Sequence, residues 1–229
     1  MADKSIVVLI SGNGSNLQAI IDAVEDAYIN AHISAVISNQ PDAYGLIRAQ
    51  QHNIPAHVIN HADYTDRTLF DQALRHCIDQ YDPALIVLAG FLRILTPEFV
   101  EHYKGRMLNI HPSLLPAYPG LNTHRRAIEA GDTQHGSTVH FVTADLDSGP
   151  LIIQARLDVP DTLLSADEAA QQLAIRILEK EHIIYPLAIK WFIEDRLKLS
   201  QNGVELDGKL LDKPVLLQNV KEHLPDRSM

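Results

Sequence analysis

The sequence predicts an α/β protein with a Rossmann-like, open, twisted and mostly parallel sheet that has helices on both faces. Short continuous apolar runs, typical of strands buried on both faces, alternate along the chain with segments of helical periodicity. A glycine-containing turn at residues 11–16 joins the first strand to the first helix. No internal repeat or low-complexity linker interrupts the alternation, so we expect one domain over residues 1–200, followed by a hairpin and tail at 201–229.

Each element is assigned from its own pattern and its flanking residues. Strands are predicted at residues 5–10, 33–37, 56–59, 85–89, 137–142 and 151–159, the last two as a hairpin-like pair, with a further strand through Asn109 and His111. Helices are predicted from Leu17 onward and at residues 42–52, 64–80 and 122–130. Ser165 and Glu168 fit a capping box that opens a long final helix, which Pro186 should break or kink. An Asp-Gly hairpin at 204–211 follows, and the polar tail 220–229 should fray.

The composition limits the classes of function. The 229 residues are 46% hydrophobic and 21% charged, and the formal net charge is −10. An acidic balance argues against a nucleic-acid surface, and no apolar run is long enough to span a membrane. The single cysteine, Cys77, offers neither a disulfide framework nor a Cys-based metal site, and no signal-peptide pattern precedes the first strand. We therefore expect a cytoplasmic protein that binds small molecules and needs no metal.

The turn Ser-Gly-Asn-Gly-Ser-Asn at residues 11–16, here called the anion turn, is a candidate phosphate site. The first N–H groups of a helix have no intrahelical partner, and the helix dipole favours negative charge beside them. Leu17 stands where a dinucleotide fingerprint has its third Gly or Ala, the second strand has no carboxylate at its tip, and a P-loop lysine is missing. These features favour a phosphomonoester, the alternative being a tight turn that needs glycine only for its geometry.

Asn109 and His111 form the second candidate. Leu108 and Ile110 alternate with them at the two-residue period of a strand, so the amide and the imidazole project from the same face. Pro112 ends the strand because it has no N–H to donate. A strand end with an amide beside a titratable ring suits catalysis, and the alternative is a buried Asn and His that are satisfied by neighbouring backbone.

Two loops extend this candidate site. Residues 90–95 follow a buried strand and are apolar apart from Arg93, so they either cover a flat aromatic ligand or cap the core. Residues 143–150 place two aspartates in a glycine-proline turn, where such residues are usually turn formers. Either Asp145 or Asp147 can instead bring a carboxylate to His111, and the spacing does not choose between them.

Glu181 is the last candidate. It continues the apolar stripe formed by Leu173 and Ile177 on the final predicted helix. A carboxylate on an inward-facing stripe lies either at the wet end of the stripe or in a functional site.

These motifs together resemble those of the folate-dependent formyltransferases over about residues 5–200. The resemblance is carried by the anion turn, Gly-Phe-Leu-Arg-Ile-Leu at 90–95, Asn-Ile-His-Pro-Ser-Leu-Leu-Pro at 109–116 and Leu-Asp-Ser-Gly-Pro at 146–150. The anion turn points, within the family, to the branch that acts on a glycinamide ribonucleotide. A local departure is Ser148, where related chains often carry Gly, and a small residue there should preserve the turn.

The resemblance implies that the co-substrate 10-formyltetrahydrofolate gives its formyl group to the primary amine of glycinamide ribonucleotide, a step of purine biosynthesis. The N-terminal half would bind the ribonucleotide, with the phosphate on Gly14, Ser15 and Asn16. The glycinamide or ribose would contact Leu178, Glu179, Lys180 and Glu181. The C-terminal half would complete the folate site, and Arg67 would meet the glutamate carboxylate of the folate. The implied folate residues are Arg67, Leu92, Arg93, Ile94, Leu95, Asn109, Thr143, Ala144, Asp145, Leu146 and Asp147.

The implied catalytic residues are Asn109, His111 and Asp147. The amide and the imidazole would donate to the oxyanion of a tetrahedral intermediate, and an adjacent carboxylate would orient the ring and favour its charged form. The alternatives are a formyltetrahydrofolate hydrolase and a non-catalytic folate- or ribonucleotide-binding module. A methionyl-tRNA formyltransferase would need a basic C-terminal domain for RNA, and the chain has only a short tail after residue 200. We expect a monomer or a weak homodimer.

Overall fold

The computed structural model describes residues 4–159 and 164–219, and its centre is an eight-stranded sheet. The strands of this sheet are β1 (Ser5–Ile10), β2 (His32–Ser38), β3 (Ala56–Val58), β4 (Leu85–Leu88), β5 (Met107–His111), β6 (Gln134–Phe141), β7 (Leu151–Asp158) and β11 (Val215–Leu216). A small antiparallel sheet contains β8 (Leu197–Ser200), β9 (Gly203–Leu206) and β10 (Lys209–Leu210). The predicted tail 220–229 lies outside the described residues.

The strand order of the large sheet is β11-β7-β6-β5-β4-β1-β2-β3. The pairs that involve β1, β2, β3 and β4 are parallel, as is β7 with β11, whereas β6 runs antiparallel to both β5 and β7. This mostly parallel sheet confirms the predicted class. In such a sheet the carboxyl ends of neighbouring strands meet at one edge, where ligands bind.

Helices cover both faces of the sheet, as the sequence predicts. They are α1 (Ser15–Glu25), α2 (Tyr44–Gln51), α3 (Arg67–Asp79), α4 (Pro97–His102), α5 (Thr123–Ala130) and α6 (Ala166–Ile193), with 3₁₀ turns at His61–Asp63 and Leu217–Asn219. The two faces of β1 belong to separate hydrophobic cores. Ile6, Val8 and Ile10 pack with α1 and α6 on one face, whereas Val7 and Leu9 pack with α3 and α4 on the other.

The final helix has the expected capping box, and of the break or kink expected at Pro186 the break is not found. The capping box is present, because Ser165 Oγ accepts from the Glu168 N–H while the Glu168 carboxylate accepts from the Ser165 N–H. The helix nevertheless continues through Pro186 to Ile193 instead of breaking there. Tyr185 and Leu187 are both fully buried, and such burial offsets the hydrogen bond that proline removes, a cost of about 3 kcal/mol.

The structure also corrects several boundaries. The first helix begins at Ser15, two residues before the predicted start, because Gly14 adopts a left-handed conformation with φ of 73° and caps it. The long helix predicted at 64–80 begins only at Arg67, after Asp66 accepts a hydrogen bond from the Leu69 N–H. The short helix α4 and the strands β8 and β11 were not predicted. The hairpin at Asp207 and Gly208 is confirmed, and both residues have the positive φ that a type I′ turn requires.

Candidate active site

The anion turn lies at the carboxyl end of β1, directly before α1. Its first helical hydrogen bond runs from the Gln18 N–H to the Gly14 carbonyl, at 2.9 Å. The Asn16 side chain in the first turn of α1 is 8% exposed, and its Nδ2 donates to Glu181 Oε2 at 2.8 Å. The Asn16 Oδ1 atom is buried without a hydrogen-bond partner. Buried polar atoms of this kind are uncommon, so Asn16 Oδ1 is a candidate contact for a bound ligand.

Glu181 connects the anion turn to the strand that carries His111. Ser137 Oγ on β6 lies 2.9 Å from two acceptors, Glu181 Oε1 and the His111 carbonyl oxygen, and its one hydroxyl proton can be donated to either. Burial raises the pKa of Glu181, and the hydrogen bonds from Asn16 and Ser137 oppose that rise. Because Glu181 is only 6% exposed, it lies inside the fold and not at a wet end of its stripe.

His111 at the end of β5 is 6% exposed and has an oxygen beside each ring nitrogen. Its Nε2 donates to the Tyr118 carbonyl at 2.8 Å, and its Nδ1 lies 3.4 Å from Asp147 Oδ2. Asp147 Oδ2 also accepts from the Gly120 N–H at 2.8 Å. The structure thus places Asp147, and not Asp145, against His111. Asp147 has a φ of 49°, a strained backbone conformation of the kind that is found at functional sites.

Asn109 faces a histidine that the sequence did not single out. Asn109 on β5 pairs with His140 on β6, and Asn109 Nδ2 lies 3.1 Å from His140 Nε2. His140 Nδ1 donates to the Phe141 carbonyl at 2.9 Å, so Nε2 of a neutral ring is an acceptor for the amide. Burial lowers the pKa of His140, which favours this neutral form. The contact fixes which way the amide of Asn109 points.

A cleft opens beside these residues. Of the residues that the resemblance implies for the folate, the cleft is lined by Arg93, Ile94, Leu95, Asn109 and residues 143–147. Phe91 and His140 also line it. The Arg93 guanidinium lies over the Phe70 ring, 4.4 Å from its centroid, and its buried Nε has no hydrogen-bond partner. The cleft is therefore lined mostly by apolar side chains, with Arg93 as the cationic residue among them.

Other residues implied by the resemblance lie outside this arrangement. Arg67 is exposed at the start of α3, and Leu92 is 73% exposed; neither lines the cleft. Of residues 178–181, Glu181 makes the contacts described above, whereas Glu179 is exposed. Among the described residues no group of three or more His, Cys, Asp or Glu side chains is placed to hold a metal ion, and no helix of that part of the chain can cross a membrane.

The sequence alone does not identify His140 and Ser137 as site residues, because the alternation within β5 does not show which residues of another strand lie opposite β5. His140 becomes visible only through the antiparallel register that pairs it with Asn109. The available signal was the alternation within β6, which puts Thr138 and His140 on one face and the buried Val139 and Phe141 on the other.

A mostly parallel sheet with a phosphate-type turn after its first strand, and with an amide, an imidazole and a carboxylate beside a cleft, is typical of an α/β enzyme. The chain belongs to the formyl transferase family, whose sequence profile matches residues 4–189. It is 53% identical over 207 residues to the phosphoribosylglycinamide formyltransferase of Escherichia coli (strain K12), covering 90% of this chain and 95% of that relative.

Solved structures agree with this assignment. The phosphoribosylglycinamide formyltransferase of Coxiella burnetii, in complex with CHES, superposes with a TM-score of 0.87 at 55% identity and covers 93% of this chain and 99% of that chain. Glycinamide ribonucleotide transformylase 1 of Symbiobacterium toebii superposes with a TM-score of 0.84 at 43% identity, covering 89% and 94% of the two chains.

Proposed function

We propose that this chain transfers the formyl group of 10-formyltetrahydrofolate to the primary amine of glycinamide ribonucleotide. The observation that carries the proposal is the approach of Asp147 to His111 beside Asn109 at one end of the cleft. The relatives named above support the choice of substrates, since this chain matches nearly the whole length of each of them. The lining of the cleft suits a folate, since it combines apolar side chains with Arg93.

In the proposed reaction the amine nitrogen forms a bond to the formyl carbon, and the carbonyl electrons move to the formyl oxygen. The Asn109 amide and the His111 ring donate to this oxyanion, each such donor being worth about 10²–10³ in rate. The bond from carbon to folate N10 then breaks as the carbonyl reforms. N10 gains a proton and the amine loses one, so the net reaction exchanges one proton between two nitrogens.

Asp147 orients the His111 ring in this proposal and faces the positive charge that the ring would gain during proton transfer. The Tyr118 carbonyl at Nε2 is a hydrogen-bond acceptor, as the formyl oxygen is, so the substrate oxygen can replace it without a change in the role of the ring. His140 holds the Asn109 amide, which leaves the second hydrogen of that amide for the oxyanion.

At the other end of the site, the anion turn binds the phosphate through Gly14, Ser15 and Asn16. Glu181 lies between this turn and β5, where the ribose or glycinamide of the substrate would pass. Leu178, Glu179 and Lys180 complete this side of the proposed site. Arg67 and Leu92, both exposed, are proposed contacts for the distal part of the folate, and Arg67 would meet its glutamate carboxylate.

The remaining features of the proposal concern the whole molecule. Residues 1–200 act as a single formyltransferase domain, which the family match over residues 4–189 supports, and residues 201–229 have no assigned role. We propose a cytoplasmic enzyme that is a monomer or a weak homodimer. Analytical ultracentrifugation across protein concentration tests the oligomeric state.

The test is a formyl-transfer assay with ¹³C-labelled 10-formyltetrahydrofolate, followed by NMR with and without glycinamide ribonucleotide. We expect the label to appear on the glycinamide amine only when that substrate is present. Release of labelled formate without the amine would instead assign a hydrolase, and binding without loss of the label would assign a non-catalytic binding module.

A further inference from the structure

Arg48 on α2 holds the anion turn from the side opposite its free N–H groups. Its Nε donates to the Asn13 carbonyl at 3.0 Å, one terminal nitrogen donates to Asn13 Oδ1 at 3.1 Å, and the other donates to Gln18 Oε1 at 3.1 Å. Near the start of the same helix, the Gly45 N–H donates at 3.0 Å to the carbonyl of Gly12, the residue before Asn13 in the turn. The start of α2 therefore binds the carbonyl oxygens of two successive peptide units.

This contact determines where the N–H groups of the turn point. In a trans peptide the C=O and the following N–H point in opposite directions. Because the carbonyls of Gly12 and Asn13 face α2, the N–H groups of Asn13 and Gly14 face away from it. Successive N–H groups that converge on one side form an anion-binding concavity, and the unpaired N–H groups of the first turn of α1 lie next to it.

The backbones of the turn and of α2 are close enough to exclude side chains between them. A Cβ on Gly14, which has a φ of 73°, would lie 2.8 Å from the Gly45 Cα. A Cβ on Gly45 would lie 3.3 Å from the Gly14 Cα and 2.5 Å from Ile10 Cδ1. Glycine at both positions is thus a condition for the two carbonyl contacts to form.

A second observation points to a ligand beside the turn: Asn16 Oδ1 is an acceptor, which suits a hydroxyl or amine donor of the same substrate and not the phosphate oxygens. The Asn16 side chain, in the first turn of α1, is 8% exposed and its buried Oδ1 has no partner. Arg48 itself is half-buried, and all three kinds of its donor nitrogen are used by the turn and by Gln18. The guanidinium therefore shapes the turn and does not stand free to contact the ligand.

We propose that Arg48 is a positioning residue for the phosphate of the substrate, and that Gly45 is the surface against which it holds the anion turn. This inference rests on the proposed binding of a ribonucleotide phosphate at the turn. It concerns affinity for the phosphorylated substrate, and it leaves the folate site and the chemical step unaffected.

The first experiment compares the wild type with Arg48→Ala and Arg48→Lys. Arg48→Ala should raise the KM for glycinamide ribonucleotide and the Kd for ribose 5-phosphate by about tenfold to a hundredfold, since hydrogen bonds to charged groups contribute on that scale. The KM for 10-formyltetrahydrofolate and kcat should change less than about threefold. Arg75→Ala is the matched control, because Arg75 is a helical arginine that pairs with Asp79 on its own helix.

Arg48→Lys separates positioning from charge. Lysine keeps the positive charge but lacks the planar fork that reaches both oxygens of Asn13, so we expect phosphate affinity to stay at least about fivefold below the wild type. Full recovery by lysine would overturn the proposal, because charge alone would then suffice. A loss of melting temperature with equal losses in kcat and both KM values would also overturn it, in favour of a general structural role.

Gly45→Ala in an Ile10→Val background tests the close approach separately. Valine removes the Cδ1 atom that a Cβ on Gly45 would meet, so the contact with the Gly14 Cα becomes the main one perturbed. We expect the same selective loss of ribose 5-phosphate affinity relative to Ile10→Val alone, and unchanged affinity would contradict the proposal.

The ribose 5-phosphate titration keeps this inference distinct from the proposed activity. A wild type that binds the ester but does not formylate glycinamide ribonucleotide refutes the activity and leaves the Arg48 comparison decisive. A wild type that binds no phosphate ester refutes the positioning role.

Discussion

Asp147→Asn is the substitution that tests the proposed chemistry most sharply. The side chain is nearly isosteric and its amide oxygen can still accept from the Gly120 N–H, so the loop that carries it should keep its position. The negative charge that faces His111 Nδ1 at 3.4 Å is removed. Two unit charges at that separation attract by about 5 kcal/mol at an effective dielectric constant of about 20, which sets an upper bound on the effect.

The reaction also needs a proton donor for folate N10, and His111 beside Asp147 is the candidate. A positioned general acid is worth about 10²–10⁴ in rate, which agrees with that bound. We therefore expect Asp147→Asn to lower kcat by about 10³-fold while the Kd values of both substrates change by less than about threefold. Rapid-quench turnover and calorimetric binding measure the two quantities. Asp145→Asn is the comparison within the same loop, and it should affect the KM of the folate more than kcat. A kcat within about fivefold of the wild type in Asp147→Asn would refute the role given to that carboxylate.

Three further predictions concern His140, Arg67 and His135. His140→Phe should lower kcat by about tenfold to a hundredfold in steady-state kinetics, because the Asn109 amide loses its acceptor. His140→Gln should recover part of the loss, and full activity in the Phe variant would contradict this role. Arg67→Ala should weaken folate binding with little change in kcat, and an unchanged Kd for the folate would remove Arg67 from the site. Burial lowers the pKa of His135 to about 4, so below pH 6.5 the unfolded chain binds the extra proton and the free energy of unfolding should fall until about pH 4, by at most about 3 kcal/mol for this group. Urea unfolding should show a shallower pH dependence in His135→Gln, and identical curves would contradict that assignment.

The elements that the sequence predicted well are those whose pattern is local. Residues 6–10 are apolar throughout because both faces of β1 are buried, and so short a run before a glycine turn favours a strand. The capping box at Ser165 and Glu168 is likewise a local signal that tertiary contacts did not override. Of the break or kink expected at Pro186, the break does not occur because the neighbours of Pro186 are fully buried, and burial of that extent is not visible in a helical pattern alone.

The short helix α4 shows a signal that was present but not used. Thr96 caps it by accepting from the Phe99 N–H, and Pro97 occupies its first turn, a combination that is typical of helix starts. With only six residues, α4 is too short to show a helical apolar period, so its start signal was the one sign of it in the sequence.

The candidate site was predictable where residues share one strand and unpredictable where they meet across strands. Asn109 and His111 follow from the alternation of β5 alone. The choice of Asp147 over Asp145 needs the path of a loop, and the part played by His140 needs the register between β5 and β6. Register depends on the pairing of two distant segments, so no single segment of sequence specifies it.

The central claim is that the anion turn and the Asn109–His111–Asp147 group are two ends of one substrate site. A crystal structure with glycinamide ribonucleotide and an unreactive folate analogue measures this directly. We expect the phosphate on the N–H groups of Gly14, Ser15 and Asn16, and the primary amine within about 4 Å of the formyl position beside Asn109 and His111. A phosphate bound elsewhere, or an amine directed away from those two side chains, would contradict it.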